Sequence, residues 1–279
     1  MGVNIIESTG LTLGDAEFET LRRLVHEAAG IALSPSKRQL LTSRVSRRLR
    51  ALDCRTFAEY IRHVTHNDPT GEERQQLVNC ITTNKTDFFR EPHHFEFLRD
   101  KAVPNWLARG PRRVRVWSAG CSIGMEPYSI ALTLREHLPA GFEVQVLATD
   151  IDTKVLATAQ RGVYAADSRG LSTQRLQKHM LRGTGANAGF MRVKPELQKV
   201  IEFRTFNLMS TQWSLGEPFD MVFCRNVMIY FDHETQRKVL EHIHAVMKPG
   251  SLLFVGHSEN FTDSRDLFVL QGKTIYKRV

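Results

Sequence analysis

Residues 114–126, Val-Arg-Val-Trp-Ser-Ala-Gly-Cys-Ser-Ile-Gly-Met-Glu, constrain the fold of this chain more than any other stretch. They read as a buried strand that breaks into a glycine turn and then opens a helix. Gly120 and Gly124 take backbone angles that a side chain resists, and they let the main chain approach a ligand closely. A second strand, residues 144–150, ends in Asp150. An acid at the tip of the second strand of a doubly wound sheet is the usual partner of two ribose hydroxyls. The spacing departs from the dinucleotide fingerprint, because no third glycine follows and Asp150 lies more than about 20 residues beyond the turn. The missing phosphate cradle favours an adenosine-type cofactor without a pyrophosphate, and S-adenosylmethionine fits that description.

Strand and helix patterns alternate from Val114 onward. Strands are expected at Val114–Ala119, Glu143–Thr149, Phe219–Cys224 and Leu252–Val255, the last entered through a turn at Lys248–Ser251. Helices are expected at Pro127–His137, Thr153–Gln160 and His233–Met247, with an edge strand at Thr274–Arg278. Such alternation predicts a parallel α/β sheet covered on both faces. The polar stretch Gly162–Val200 interrupts it and holds Arg182-Gly-Thr-Gly185, a hairpin-turn sequence. It reads as an inserted subdomain of short antiparallel strands, at about residues 163–203, placed where insertions often serve a substrate or partner.

The first part of the chain is helical. Asp15–Ala29 sets Phe18, Leu21, Val25 and Ala28 on one side, and Gly30 can end it. In Ser34–Leu52, Ser34 can cap, Pro35 suits the first helical position, and Leu41, Val45, Leu49 and Leu52 form one apolar stripe. Thr56–His66 and Glu72–Thr82 complete the set. The expected organisation is a helical docking domain at 1–75, a linker at 76–95, and a cofactor-binding domain at 96–279. Positive charge gathers early: Lys37, Arg44 and Arg48 fall on a face apart from the apolar stripe, with Arg47 beside them. A solvated basic face and a docking surface are both open readings of that pattern.

The bulk numbers allow a globular enzyme. The chain has 279 residues, 42% of them hydrophobic, and a formal net charge of +8. That charge points to an acidic partner, either nucleic acid or an acidic protein surface. No run of about 20 apolar residues is present, so no membrane span is expected. Met1–Gly10 lacks a basic start followed by an apolar stretch, so no secretory signal is expected. Cys54, Cys80, Cys121 and Cys224 are scattered without a Cys-x-x-Cys pair, which suits a reducing compartment rather than zinc or disulfides. His93 and His94 read as helix-start residues without a metal role, since no further ligand has suitable spacing.

Four strings carry a resemblance. They are residues 82–95 (Thr-Thr-Asn-Lys-Thr-Asp-Phe-Phe-Arg-Glu-Pro-His-His-Phe), 118–128 (Ser-Ala-Gly-Cys-Ser-Ile-Gly-Met-Glu-Pro-Tyr), 223–231 (Phe-Cys-Arg-Asn-Val-Met-Ile-Tyr-Phe) and 256–261 (Gly-His-Ser-Glu-Asn-Phe). Together they resemble the motif set of the chemotaxis receptor methyltransferases of the CheR type, across nearly the whole chain. The resemblance implies a Rossmann-like S-adenosylmethionine-dependent methyltransferase sheet, an all-helical N-terminal domain and a small inserted antiparallel β subdomain. It implies methyl transfer to receptor glutamates, giving methyl esters, with S-adenosylhomocysteine as product and no metal. It further implies action in the cytoplasm with recruitment to membrane receptor arrays; nothing in the sequence demands more than a monomer.

The resemblance also implies residue roles. Asn84, Thr86, Arg90, Gly120, Glu126, Asp150, Asn207, Leu208, Arg225 and Asn226 would contact the cofactor. Arg90 and Tyr230 would act on the reacting groups. Lys37, Arg44, Arg47 and Arg48 would dock the receptor, and Arg182, Gly183 and Gly185 would grip a pentapeptide at its C-terminal tail. Taken alone, each residue has a plainer reading: Asp150 as a helix cap, Glu126 as a partner of the helix dipole, Asn207 as a turn cap, Tyr230 as core and Arg90 as surface. A glutamate nucleophile is already ionised near neutrality, with a free pKa of about 4.3, so alignment rather than a general base is the enzyme's task. The rival classes are a nucleic-acid methyltransferase and a non-catalytic receptor-binding module. The first lacks the polar-proline-aromatic motif for base amino groups, and the second is disfavoured by intact Asp150, Arg90 and Tyr230.

Overall fold

A computed structural model describes residues 12–110 and 112–279, so the expectation about a signal at Met1–Gly10 lies outside the described residues. The chain divides into two compact units, one ending at Thr82 and one beginning at Thr83.

Among its described residues the first unit holds four α-helices: α1 (Asp15–Ala29), α2 (Arg38–Ala51), α3 (Phe57–His66) and α4 (Glu72–Ile81). Helix α1 has the bounds that its periodicity predicts. Glu17 accepts the Gly14 N–H at 2.7 Å, and Gly30 closes the last turn at φ 71 with its N–H on the His26 carbonyl. The expected Ser34–Leu52 helix is shorter. A 3-10 turn at Pro35–Lys37 precedes α2, and the Ser34 hydroxyl pairs with the Ser36 hydroxyl at 2.7 Å instead of capping. Thr56 caps α3 by accepting the Glu59 N–H. Phe18, Leu21 and Val25 of α1, Leu41, Val45 and Leu49 of α2, and Tyr60 and Leu77 form the buried core of this unit. Because α4 runs to Ile81, the first residues of the expected linker are helical.

The second unit runs, in chain order, α5 (Pro92–Phe97), α6 (Val103–Arg109), β1 (Arg113–Ala119), α7 (Met125–His137), β2 (Glu143–Asp150) and α8 (Thr153–Arg161). Then come β3 (Val163–Ala165), α9 (Thr173–His179), β4 (Met180–Arg182), β5 (Phe190–Val193), α10 (Pro195–Gln198) and β6 (Ile201–Thr205). The chain closes with β7 (Phe219–Cys224), α11 (His233–Ala245), β8 (Met247–Val255), β9 (Phe268–Gly272) and β10 (Ile275–Arg278). Its main sheet has the order β6-β2-β1-β7-β8-β10-β9. The first five strands in that order pair in parallel. Strands β10 and β9 are antiparallel additions, so the sheet is mixed rather than wholly parallel. The last strand expected from sequence is not the edge; β9 covers it. Strand β9 shows no alternation, with Val269 and Leu270 both exposed, which is why periodicity does not mark it.

The sheet order reverses between β1 and β7, and a crevice opens beyond the carboxyl ends of strands at such a switch point. Alternating residues of β1 feed two cores. Val114 and Val116 pack with Ile130 and Leu134 of α7, whereas Trp117 packs with Val239 and Ile243 of α11. The Trp117 ring stacks on Phe219 at 5.6 Å between centroids. The Lys248–Ser251 turn sits inside β8: Met247 pairs with Phe219, and after the turn Leu252 pairs with Met221. A π-helical turn, Leu98–Ala102, joins α5 to α6. It accommodates Pro104, which has no N–H to continue an ordinary helix.

The insert is the three-stranded antiparallel sheet β3-β5-β4. Tyr164, Met180, Met191 and Val193 are buried on one face, while Val163, Leu181 and Phe190 stand exposed on the other. The Arg182–Gly185 stretch begins the β4–β5 connection, which continues through a 3-10 turn at Gly185–Asn187.

Candidate cofactor and methyl-transfer site

The loop after β1 is drawn against β2. The N–H groups of Gly120 and Cys121 both reach the Thr149 carbonyl, at 2.8 and 2.9 Å. Gly120, Ser122 and Gly124 have φ of 75, 52 and 91, all in the left-handed region. A side chain at Gly120 would overlap Val227, so glycine is required where the loops after β1 and β7 meet. Asp150 ends β2 and is 8% exposed. Its Oδ2 accepts the Ser122 N–H at 2.7 Å and its Oδ1 accepts the Asp152 N–H at 2.9 Å. A carboxylate has about four acceptor positions, so these two bonds leave acceptor capacity on Asp150. Burial pushes the Asp150 carboxyl up to about 6, against the pull of the Asp152, Ser122 and Ile151 N–H groups. The helix-cap alternative belongs to its neighbour: Asp152 Oδ1 accepts the Lys154 N–H at 2.9 Å to start α8.

The segment before α5 closes one side. Asn84 donates its amide to Asp152 at 2.8 Å, and its carbonyl accepts the Ser122 hydroxyl at 2.9 Å. Thr86 follows, half-buried. On the other side of Asp150, the Phe206 N–H reaches the Asp150 carbonyl at 3.0 Å. This sets Asn207 and Leu208 nearby. Asn207 Oδ1 accepts the Met209 N–H at 2.9 Å, and Leu208 is buried in the Trp117 cluster.

Arg225 gathers a second group of charged and polar partners. Its side chain is 2% exposed. It pairs with Glu126 at 3.1 Å and with Glu91 at 3.6 Å, and it donates to the Arg90 carbonyl. Glu126 also accepts the Ser118 hydroxyl at 2.7 Å. Burial pushes the Glu126 carboxyl up, and the Arg225 charge opposes that. Glu126 thus lies in the first turn of α7, as the dipole reading has it, and is committed to a buried ion pair as well.

Arg90 lies between Phe89 and Glu91, whose φ values are 53 and 58. Two left-handed non-glycine residues around one arginine mark a strained turn of the kind found at functional sites. The Arg90 guanidinium reaches the Lys85 carbonyl at 3.0 Å. The insert braces this turn. Arg175 of α9 lies 3.9 Å over the Phe89 ring and grips Glu136 at 2.8 Å. Gly170 lies so close to the Phe88 carbonyl that any side chain there would overlap it.

Tyr230 ends the 3-10 turn Met228–Tyr230 and is half-buried, so it is not a core residue. Asn226 precedes it at φ 59. The N–H groups of Asn226, Val227 and Met228 all bond Glu259, a buried carboxylate whose role sequence reasoning did not supply. Glu91 and Asp152 were missed too. The only local signal was that Glu259 and Glu91 sit inside the motif strings.

The spacing argument that separated His93 and His94 from other ligands needs correction. The ligand atoms of Glu91, His93 and His94 lie within 4.8 Å of one another. Arg225 supplies the positive charge at this cluster, 3.6 Å from Glu91. Burial, helped by the Arg225 and His93 charges, pushes the His94 imidazole far below the ordinary histidine range. Its Nε2 pairs with the Thr274 hydroxyl at 2.9 Å.

In the first unit the four basic residues divide. Lys37 and Arg47 are exposed. Arg44 donates to the Ile81 and Thr82 carbonyls, and Arg48 pairs with Glu73 at 2.5 Å. Glu73 also accepts the Tyr60 hydroxyl at 2.9 Å. In the insert, Arg182 is exposed at the end of β4, the Gly183 N–H reaches the Phe190 carbonyl at 2.9 Å, and Gly185 has φ 55.

A glycine turn into a helix, an acid at the tip of the next strand and a crevice at the sheet's switch point define an S-adenosylmethionine-binding methyltransferase. Residues 84–277 match the family model described as CheR methyltransferase, SAM binding domain, and residues 16–82 match its all-alpha domain. The chain belongs to the CheR methyltransferase family. It is 45% identical to the chemotaxis protein methyltransferase of Klebsiella aerogenes, covering 95% of this chain and 90% of the relative. It is 44% identical to that of Escherichia coli, over 95% and 92%. It is 46% identical to chemotaxis protein methyltransferase 2 of Pseudomonas aeruginosa, over 93% and 92%.

Proposed function

We propose that this chain methylates glutamate side chains on the cytoplasmic helices of chemoreceptors, giving methyl esters that serve sensory adaptation. One observation carries the choice of a carboxylate substrate: the acids gathered at the crevice are already committed. Asp150 and Glu259 hold backbone N–H groups, and Glu126 and Glu91 share Arg225. That arrangement suits a nucleophile that needs no base. A glutamate with a pKa of about 4.3 meets this condition near neutrality.

When bound, S-adenosylmethionine supplies the electrophilic methyl group. Asp150 takes the ribose hydroxyls, and Asn207 and Leu208 flank the adenine. Asn84, Thr86, Gly120, Glu126, Arg225 and Asn226 line the remainder. Arg90 holds one oxygen of the incoming carboxylate and leaves the other free, since pairing both would blunt the nucleophile. Tyr230 donates to the same group or offers its electron-rich face to the sulfonium. The enzyme is thus a protein-glutamate O-methyltransferase, inhibited by its product S-adenosylhomocysteine.

Lys37 and Arg47 supply the outward charge for an acidic receptor helix, while Arg44 and Arg48 hold the unit together and add to its field. The insert leaves β3 and β4 as open edges. An extended receptor tail adds to such an edge by main-chain bonding, with Arg182, Gly183 and Gly185 at its end. Among the described residues no helix is long and apolar enough to cross a membrane. We propose that a cytoplasmic monomer is drawn to receptor arrays by these contacts. Calorimetry with a receptor-tail pentapeptide tests the tether, and no binding removes it.

The deciding experiment incubates the chain with labelled S-adenosylmethionine and a chemoreceptor cytoplasmic fragment, then applies mild alkali. Methyl esters release volatile methanol. Alkali-stable label, or label on added nucleic acid, refutes the glutamate reading.

A further inference from the structure

Between the end of β7 and the start of α11 the chain crosses the crevice through Arg225–Tyr230. What fixes its path is Glu259, from the loop after β8. Glu259 is 5% exposed. Its Oε2 accepts the Asn226 N–H at 2.9 Å and also the Gly256 N–H. Its Oε1 accepts the Val227 N–H at 3.0 Å and the Met228 N–H at 2.8 Å. All of the roughly four acceptor positions of a carboxylate are therefore filled by backbone donors. Three successive N–H groups converging on one anion form a nest, and each bond is strengthened by the charge. Asn226 closes the nest in the left-handed region, at φ 59. Gly256 completes the lock, because any side chain there would overlap the Asn226 amide.

We propose that Glu259 is a positioning residue for methyl transfer, setting the backbone from Asn226 to Tyr230 so that both residues stand correctly at the crevice. The inference rests on the placing of Asn226 and Tyr230 in the site made above. Glu259 has no acceptor position left for cofactor or substrate, so it acts only through the segment it holds. Glutamine there turns an amide NH2 toward two of the four N–H groups, which releases those two bonds.

The test uses the full chain with a receptor cytoplasmic fragment. Glu259→Gln should lower kcat at least tenfold and leave the receptor KM within about twofold. Its S-adenosylhomocysteine affinity, read by calorimetry, should fall about fivefold through Asn226. Val239→Ala, which thins the core under α11 without removing a bond to Glu259, controls for stability: with a comparable loss of thermal midpoint it should keep wild-type kcat. A Glu259→Gln enzyme with kcat within twofold of wild type, or no slower than the Val239→Ala control, overturns the proposal. If Glu259→Gln does not fold, Gly256→Ala keeps the carboxylate but displaces the Asn226 amide. A tenfold fall in kcat then supports the proposal, and wild-type kcat overturns it. A wild-type chain that leaves the receptor unlabelled refutes the glutamate reading alone. The calorimetric arm still decides this one, because unchanged affinity in Glu259→Gln refutes it.

Discussion

Replacing Asp150 by asparagine should weaken S-adenosylhomocysteine binding about a hundredfold and leave the unliganded chain roughly as stable as before. In the native site Asp150 Oδ2 holds the Ser122 N–H and Oδ1 the Asp152 N–H, and the proposed ribose hydroxyls take the acceptor capacity that remains. An asparagine amide can replace only one oxygen; its NH2 then opposes either the Ser122 or the Asp152 N–H. Hydrogen bonds to a charged group contribute roughly 1.5–3 kcal/mol each. Losing one ribose bond and weakening the other costs about 3 kcal/mol, which is a factor of about a hundred. Stability moves differently. A carboxyl held at about 6 instead of 3.8 carries about 3 kcal/mol of unfavourable free energy when ionised, at 1.36 kcal/mol per tenfold. Removing that charge offsets the lost N–H bond, so the thermal midpoint should barely change.

The pH dependence separates these effects. The cofactor takes the ionised form, so wild-type affinity should hold steady above about pH 7 and fall toward tenfold per unit below about 6. Because the folded value is raised, protonating Asp150 in that same window adds stability, so its titration does not unfold the chain. Calorimetry across about pH 5–7.5 reads both. A flat wild-type profile, or an Asp150→Asn variant binding within threefold of wild type, would refute the assignment of Asp150 to the ribose.

Arg90→Ala and Tyr230→Phe should each lower kcat by about a hundredfold and leave S-adenosylhomocysteine affinity within a few fold; unchanged turnover in either removes that residue's role. Arg225→Met strands Glu126 and Glu91 in a buried site, so urea unfolding should show a loss of about 3–5 kcal/mol; a loss below about 1 kcal/mol shows the pair to be unimportant. The double variant Lys37→Glu with Arg47→Glu should raise the receptor KM and abolish its salt dependence without altering kcat. A KM as salt-sensitive as wild type would place docking elsewhere.

Features written in contiguous residues were legible. Helix α1 is fixed by Glu17, a 3.6-residue apolar stripe and Gly30, so its bounds coincide with the pattern. The β1 turn and Asp150 follow from glycine and alternation in the same way. Pairings between distant segments were not legible. Arg225 meets Glu126 across 99 positions and the Arg90 carbonyl across 135. Nothing in the local pattern at Arg225 encodes either partner. Pro104 hid α6, because a proline argues against a continuing helix unless a π turn absorbs it. Arg44 and Arg48 looked equivalent to Arg47 in sequence. Only the carbonyls at the end of α4 and the Glu73 carboxylate set them apart.

The way the insert rests on the turn before α5 bears on how such enzymes diverge. Gly170 leaves room for the Phe88 carbonyl and Arg175 covers the Phe89 ring, so the peptide that carries Arg90 is shaped partly by residues from the insert. A graft of the insert from a relative would have to bring a glycine and a guanidinium to those places or tilt Arg90. The shape of the insert and the pose of Arg90 are thereby inherited together, and neither can drift far without being checked against the other.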